Sequence, residues 1–415
     1  MSVRSDQVAP EPGVCPHYPF EDRPGISLAP EYAGLFADEP LVPVQLPNGR
    51  QALLVTRYSD VKTVLADPRF SREAWRNGTL FARDNSTLAL VTSDAPTHTR
   101  RRRAVQQWFT HRSAERARPR IAAIAARLVD DIVAAESTVD LISAFTTPLP
   151  YQVICELLGI PVDDLDLLLP RVTVMMSAGR FPADEVAAAH EAMYEYFFGQ
   201  LAARERAVAA GEAGDDLLTG LLTAPEESRL STQEIAVFGF GLLMAGGETT
   251  ASHLAMCVLQ LLRRPTLAES LRRDPAAIPA FIEEMLRWVW FAGTGGQPHV
   301  AVAEVELAGT VIPAGQVVVP LTDAANRDPE VFADSEEFRP DRTPNPHLGL
   351  GHGRHMCLGA AHARVELQEG LAAILPHVGR MELAVDESQL DWRSRMFMRG
   401  LWTLPVLMRG GKAGS

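Results

Sequence analysis

The sequence predicts a mainly α-helical protein with small β-sheets, an α+β arrangement in one large unit. Three observations point there. Apolar residues recur at helical spacing through the middle of the chain, as at Ile121, Ile124, Leu128, Val129 and Ile132. Strand-like runs are short and gather in two places, one near residue 50 and one beyond residue 300. A length of 415 residues suggests two or three domains at roughly 150 residues each. No repeat or linker divides the chain, however, so one domain is expected over residues 21–409, with flexible tails at 1–20 and 410–415.

Taken in order, Arg50 to Arg57 reads as a strand and Ser59 to Ala66 as a short helix ended by Asp67-Pro68. Arg72 to Thr92 has no period and carries the turn formers Asn77-Gly78 and Asn85, so it is a loop long enough to be functional. Val186 to Arg206 is a long amphipathic helix, and the chain turns at Gly211 to Gly214. Ser231 and Glu234 form a capping box that opens a helix running to Arg263 or Arg264, stopped by Pro265. Its centre is anomalous. Gly246-Gly247 sits in mid-helix, where each glycine costs up to about 1 kcal/mol relative to alanine. Ala276 to Trp290 is helical, Val300 to Leu307 and Val317 to Leu321 are strands, and Asp323 to Gly353 is an extended meander. Leu358 to Leu375 is the last long helix, and a β-like region follows it.

Composition sets the outer bounds. With 47% hydrophobic and 22% charged residues the chain is ordinary globular material. Its 39 basic and 52 acidic residues give −13, a poor match to nucleic acid or an anionic membrane, both of which need cationic surface. Cys15, Cys155, Cys257 and Cys357 show no C-x-x-C spacing, which argues for reduced, cytoplasmic cysteines. Met1 to Pro19 has no apolar core and reads as neither signal peptide nor anchor. Ile235 to Gly247, the most apolar stretch, is short of the roughly twenty residues that cross a bilayer and reads as a buried helix.

The most informative segment is Leu350-Gly351-His352-Gly353-Arg354-His355-Met356-Cys357-Leu358-Gly359. A lone cysteine lies between a glycine-rich turn and a helix start, where free N–H groups and the positive dipole end favour thiolate. On the residues alone, an inert buried cysteine or a zinc site using His347, His352, His355, Cys357 and His362 would also be readings, the latter with irregular spacing. The segment resembles the haem-binding loop of the cytochrome P-450 family, F-G-x-G-x-H-x-C-x-G, with Leu350 in place of the phenylalanine. The resemblance implies that family's fold, a triangular prism with haem between the long central helix and the helix after the cysteine loop. It also implies haem b (iron protoporphyrin IX), with Cys357 as the axial metal ligand and Leu350, Gly351, His355 and Gly359 in the cofactor-binding loop.

Three further motifs match. Glu284-Met285-Leu286-Arg287 resembles the family's E-x-x-R, and Phe338-Arg339-Pro340-Asp341-Arg342 its partner in the meander, so Glu284, Arg287 and Arg342 are expected to form a structural ion network. Ala245-Gly246-Gly247-Glu248-Thr249-Thr250 resembles A-G-x-[D/E]-T-T. By that resemblance Ala245 and Gly246 lie against the cofactor, both glycines make room for oxygen and substrate, and Glu248 and Thr249 are the catalytic proton-relay pair. A kink packed by small residues is the plainer reading. His98 and Arg102 match H-x-x-x-R, which binds haem propionates. Of the neighbouring Arg100, Arg101 and Arg103, some should face solvent, as a plain basic face or as a docking patch for an acidic ferredoxin. Where many relatives carry arginine on a strand, this chain has His299, expected to hold a propionate through one N–H.

The resemblance implies a cytoplasmic monooxygenase that uses O2 and electrons from NAD(P)H, passed through ferredoxin reductase and ferredoxin, with no nucleic-acid or membrane partner. The expected reaction is hydroxylation, or a related oxidation, of a small aromatic or polycyclic natural product in secondary metabolism. Thr343 to His347 resembles family members that instead couple aromatic, indole or cyclodipeptide substrates through C–C or C–N bonds. A haem-thiolate sensor or carrier is the alternative of another class, against which the Glu248 and Thr249 pair argues. By resemblance the substrate pocket involves Trp75, Phe81, Phe238, Leu242, Trp290, Phe291 and Phe397.

Overall fold

A computed structural model of the chain describes residues 16–20, 23–29, 31–32, 35, 40–75, 90–135, 137–293 and 296–409. Strands β1 (Leu41–Gln45) and β2 (Gln51–Val55) form an antiparallel hairpin that pairs Leu41 with Val55. The turn between them needs a left-handed residue, which Gly49 supplies at φ +78°. Helix α1 (Tyr58–Ala66) ends at Asp67, as the following proline requires, and strand β3 (Phe70–Ser71) follows. Much of the long loop, residues 76–89, lies outside the described residues, Phe81 among them.

The helical middle then comprises α2 (Thr97–Val105), α3 (His111–Ala134), the short strand β4 (Thr138–Asp140), α4 (Pro148–Leu158), α5 (Leu165–Met175), α6 (Ala183–Ala209) and α7 (Leu217–Leu222). Helix α8 (Thr232–Arg263) opens on the expected capping box. Ser231 Oγ accepts the Glu234 N–H at 3.2 Å, and Glu234 Oε2 accepts the Ser231 N–H at 3.0 Å. Pro265 ends α8 and becomes the first residue of α9 (Pro265–Arg273), where its missing N–H costs nothing. Helix α10 (Ile278–Trp288) is shorter than the expected 276–290, because Val289 turns extended at ψ 130°.

The expected strand over 300–307 is two strands in different sheets, β5 (His299–Ala301) and β6 (Val305–Leu307), parted where the Val302 N–H bonds the Arg69 carbonyl at 2.8 Å. β6 pairs with β7 (Thr310–Ile312) through Ala308-Gly309, both at positive φ, which makes a tight hairpin turn. Strand β8 (Val317–Pro320) and helix α11 (Thr322–Ala325) lead into the meander. The chain closes with α12 (Ala360–Val378), β9 (Met381–Leu383) and β10 (Pro405–Met408).

The main sheet runs β1-β2-β8-β5-β3, with only β2 and β8 parallel, and a second sheet runs β4-β10-β9. α12 packs along α3 and α8, burying Ile124, Leu128, Leu254, Val258, Leu371 and Ile374 together. Each such side chain contributes roughly 1.5–3 kcal/mol. α8 is the one described helix long and apolar enough to cross a bilayer, and 72% of its apolar window is buried inside the protein. The flexible tail expected over 1–20 is contradicted at its end. Tyr18 N–H bonds the Gln45 carbonyl at 2.9 Å, and its ring is buried against Phe20, because an apolar aromatic pair gains by covering the sheet edge.

Candidate active site

Cys357 sits where the meander hands over to α12. The Leu350 carbonyl accepts the Cys357 N–H at 2.8 Å, closing the loop. Gly353 lies at φ +68°, and a Cβ there would stand 2.5 Å from the Leu65 carbonyl, so this position must be glycine. Cys357 lines a cavity that runs from the cysteine loop to the α8 wall, a concave and largely apolar site of the kind that takes a small ligand or cofactor. Burial pushes the thiol up, while the Gly359 N–H and the guanidinium groups of Arg102 and Arg364 favour the thiolate.

The opposite wall is α8. Val237, Phe238, Leu242, Ala245, Gly246 and Thr249 share one helical face and all line the cavity. Thr249 Oγ1 donates to the Ala245 carbonyl at 2.7 Å, which fixes the hydroxyl against the helix at the cavity surface. Glu248, the next residue round the helix, points elsewhere. It is buried in an ion pair with Arg393, and Tyr151 Oη donates to its Oε2 at 3.3 Å. Gly246 faces the cavity beside Ile154, but Gly247 does not make room for a ligand as expected. A Cβ at Gly247 would overlap the fully buried Tyr151 ring, so this glycine serves the close approach of α4 to α8. Gly247→Ala is therefore expected to cost about 1–3 kcal/mol in urea unfolding. Gly246→Ala, whose Cβ would meet the Ile154 side chain no closer than 3.3 Å, should cost less.

One edge of the cavity collects cationic and N–H groups with too few acceptors. Arg72, His98, Arg102 and His355 all line it. The Nε2 atoms of His98 and His355 are buried without a partner, and Arg102 makes no ion pair with a described residue. Burial also holds His98 down to about 4, hence neutral at physiological pH. Buried donors left unsatisfied are costly, and this set matches a dianionic ligand edge. The residues present thus fit a porphyrin: Arg102, His98 and His355 would hold its two carboxylates, and Cys357 would be the residue to hold its iron.

Comparison with known proteins agrees. A family model for cytochrome P450 matches residues 185–379. Along 398 residues the chain is 41% identical to mycinamicin IV hydroxylase/epoxidase of Micromonospora griseorubida, covering 94% of this chain and 98% of that protein. The chain belongs to the cytochrome P450 family. Among solved P450 structures, HinD with NMFT and NO superposes at TM-score 0.88 with 39% identity, covering 95% of this chain and 99% of that one. Cytochrome P450mel 107F1, described as having biaryl coupling reactivity, superposes at 0.85 with 33% identity, covering 91% and 96%. The protein is accordingly a P450 monooxygenase-type oxidoreductase, and the family implies its haem.

Several sequence expectations need correction against this P450 site. Trp75 and Trp290 do not line the cavity. Both are buried in the sheet-side core with Tyr18 and Val319, with Arg50 over Trp75 at 4.9 Å and Arg399 over Trp290 at 3.6 Å. Phe291 is turned onto His253, ring centres 4.3 Å apart, and Phe397 packs on the α4 to α8 core, so neither lines the cavity. Phe238 and Leu242 do line it. Leu350 and Gly351 shape the cysteine loop from behind, Leu350 packing on the main core. His299 also lies behind the cavity wall. Arg100 and Arg103 of the arginine run face solvent, as expected for some of it; Arg100 and Arg101 both pair with Glu234 of the α8 capping box, which leaves Arg103 as the exposed one without a pair among the described residues. His347, offered to a zinc ion by the alternative reading, bonds Glu283 at 2.9 Å.

Other site groups carried no sequence signal. Tyr151 and Arg393 stand 97 and 145 residues from Glu248, and Glu366, whose buried Oε2 has no partner, is pushed well above the usual carboxylate range by burial at the cavity wall. The ion network lies where the motifs suggested. Glu284 accepts from Arg287 at 2.7 and 2.8 Å and from Arg342 at 3.2 and 3.3 Å. Arg327 and Asn345 are additions. Asn345 Nδ2 donates to Glu284 at 3.2 Å, and Arg327 Nη2 to the Trp288 carbonyl at 2.5 Å.

Proposed function

We propose that this P450 inserts one oxygen atom from O2 into a bulky apolar natural product, by hydroxylation or epoxidation, with Cys357 holding haem iron and Thr249 and Glu248 handling protons. The observation that carries the reading is that the Cys357 sulfur and the fixed Thr249 hydroxyl front the same cavity, whose substrate side is apolar through Val237, Phe238 and Leu242. Haem, when bound, supplies the activation of dioxygen. Arg102, His98 and His355 hold its carboxylates, and the apolar wall excludes water and orients substrate. Thr249 presents a hydroxyl to a reacting oxygen, and Glu248 supplies a carboxylate one residue away, whose pairing with Arg393 must loosen for it to exchange protons with the cavity.

Electrons would come from NAD(P)H through ferredoxin reductase and ferredoxin, in the cytoplasm. Oxygen insertion is favoured over oxidative coupling because the relative at 41% identity is named a hydroxylase/epoxidase, whereas the coupling P450 stands at 33%. A sensor or carrier would have no use for the threonine hydroxyl at the cavity. The test is mass spectrometry of turnover products, with Thr249→Ala alongside. A gain of one oxygen is expected, with product per electron pair falling about tenfold or more in the variant. A dimer lacking two hydrogens would select coupling, and an unaffected variant would remove the threonine from the relay.

A further inference from the structure

We propose that Arg72 is a haem-carboxylate cation of this cavity and that His299, which does not touch the ligand, is the residue that aims it. The inference rests on the haem reading of the cavity and adds to it a pair formed across two strands. Antiparallel pairing of β3 with β5 sets Phe70 opposite Ala301 and Ser71 opposite Val300, so Arg72 continues the register opposite His299. Arg72 Nε donates to His299 Nε2 at 3.1 Å, and Arg72 Nη1 to the Val91 carbonyl at 3.3 Å. Arg72 reaches the cavity, while His299 is buried and does not.

The chemistry of the pair is directional. A carbonyl only accepts, so the 2.8 Å contact of His299 Nδ1 with the Gln297 carbonyl puts the ring proton on Nδ1 and leaves Nε2 as a lone-pair acceptor. Both ring nitrogens are then used, and His299 has no N–H left to offer a ligand. With Nε held by His299 and one Nη1 hydrogen by the Val91 carbonyl, Nη2 and the second Nη1 hydrogen remain to grip a carboxylate. No described carboxylate forms an ion pair with Arg72, whose charge is supported only at longer range by Asp94; a buried guanidinium, even lowered by burial to about 10, stays charged and calls for a closer anion. The charge delivered from a strand in other arrangements is here delivered from β3, and the strand residue has become its support.

The test uses purified holoenzyme and two readouts independent of turnover: the rate of haem transfer to excess apomyoglobin and the haem reduction potential. Arg72→Ala should speed haem loss about tenfold or more, as expected for one charge-assisted contact, and lower the potential. His299→Ala should do the same in smaller measure. His299→Gln, which can accept from Arg72 and donate to Gln297, should stay near wild type. The double variant Arg72→Ala with His299→Arg should recover retention to within about threefold. Wild-type retention and potential in Arg72→Ala would overturn the proposal, as would His299→Gln behaving like His299→Ala. Failure of the underlying reading looks different, since wild type would then lack the thiolate-type carbon monoxide spectrum.

Discussion

Glu284→Gln is expected to cost about 3–5 kcal/mol, the penalty for leaving buried cations without their counter-charge. Glu284 and Arg287 have fully buried side chains, and one carboxylate answers both Arg287 and Arg342 while also accepting the Arg339 N–H at 2.8 Å. The arginines in turn hold the meander by its backbone. Arg287 donates to the carbonyls of Asn326, Ser335 and Glu337, each at 2.8 Å, and Arg342 to those of Ala333, Asp334 and Glu337. Against a typical total stability of about 5–15 kcal/mol, such a loss should bring urea unfolding to a much lower midpoint and yield mostly apoprotein. Arg287→Lys should be nearly as damaging, because one ammonium cannot replace a fork that reaches the carboxylate and three carbonyls. Glu269→Gln, which removes a surface pair with Arg272 and Arg273, is the control and should leave the midpoint in place. A Glu284→Gln protein with a wild-type midpoint would show that the network does not support the meander.

The second large effect is on the ligand itself. Cys357→Ser should abolish the red-shifted carbon monoxide band of thiolate-ligated ferrous haem and with it monooxygenation, while the apoprotein unfolds at the wild-type midpoint. The separation follows from geometry. The loop is closed by the Cys357 N–H and by the turn at Gly353, neither of which involves the sulfur. A red-shifted band surviving in Cys357→Ser would mean another residue is the ligand.

What could be read from the chain was whatever local chemistry dictates. The Ser231 box, the proline that ends α8 and the glycines of the cysteine loop act within a few residues, so their elements lie within two or three residues of expectation. The charged network was legible too, because its members sit in short motifs of fixed spacing. Side-chain direction over long separations was not. Trp75 and Trp290 are aromatic residues near the cavity in sequence terms, but the turn after β3 and the extended Val289 carry them to the sheet-side core. The pairing of Arg100 and Arg101 with Glu234 was not legible, because Glu234 lies more than a hundred residues onward. Gly247 looked like space for a ligand because Tyr151, which fills that space, belongs to a different helix.

The clasp of Arg393 on Glu248 has a consequence for how the protein is made. Residues 392–408 supply that clasp, the backbone bridges to Ser177 and Ala292, and the central strand of the second sheet, which pairs with residues 138–140. All of these are translated after α8 and after the cysteine loop. A nascent chain still lacking them holds every recognisable motif and yet has a buried carboxylate with no cation and β4 with no partner. The native partners of Glu248 and β4 are therefore complete only when residues 392–408 are in place.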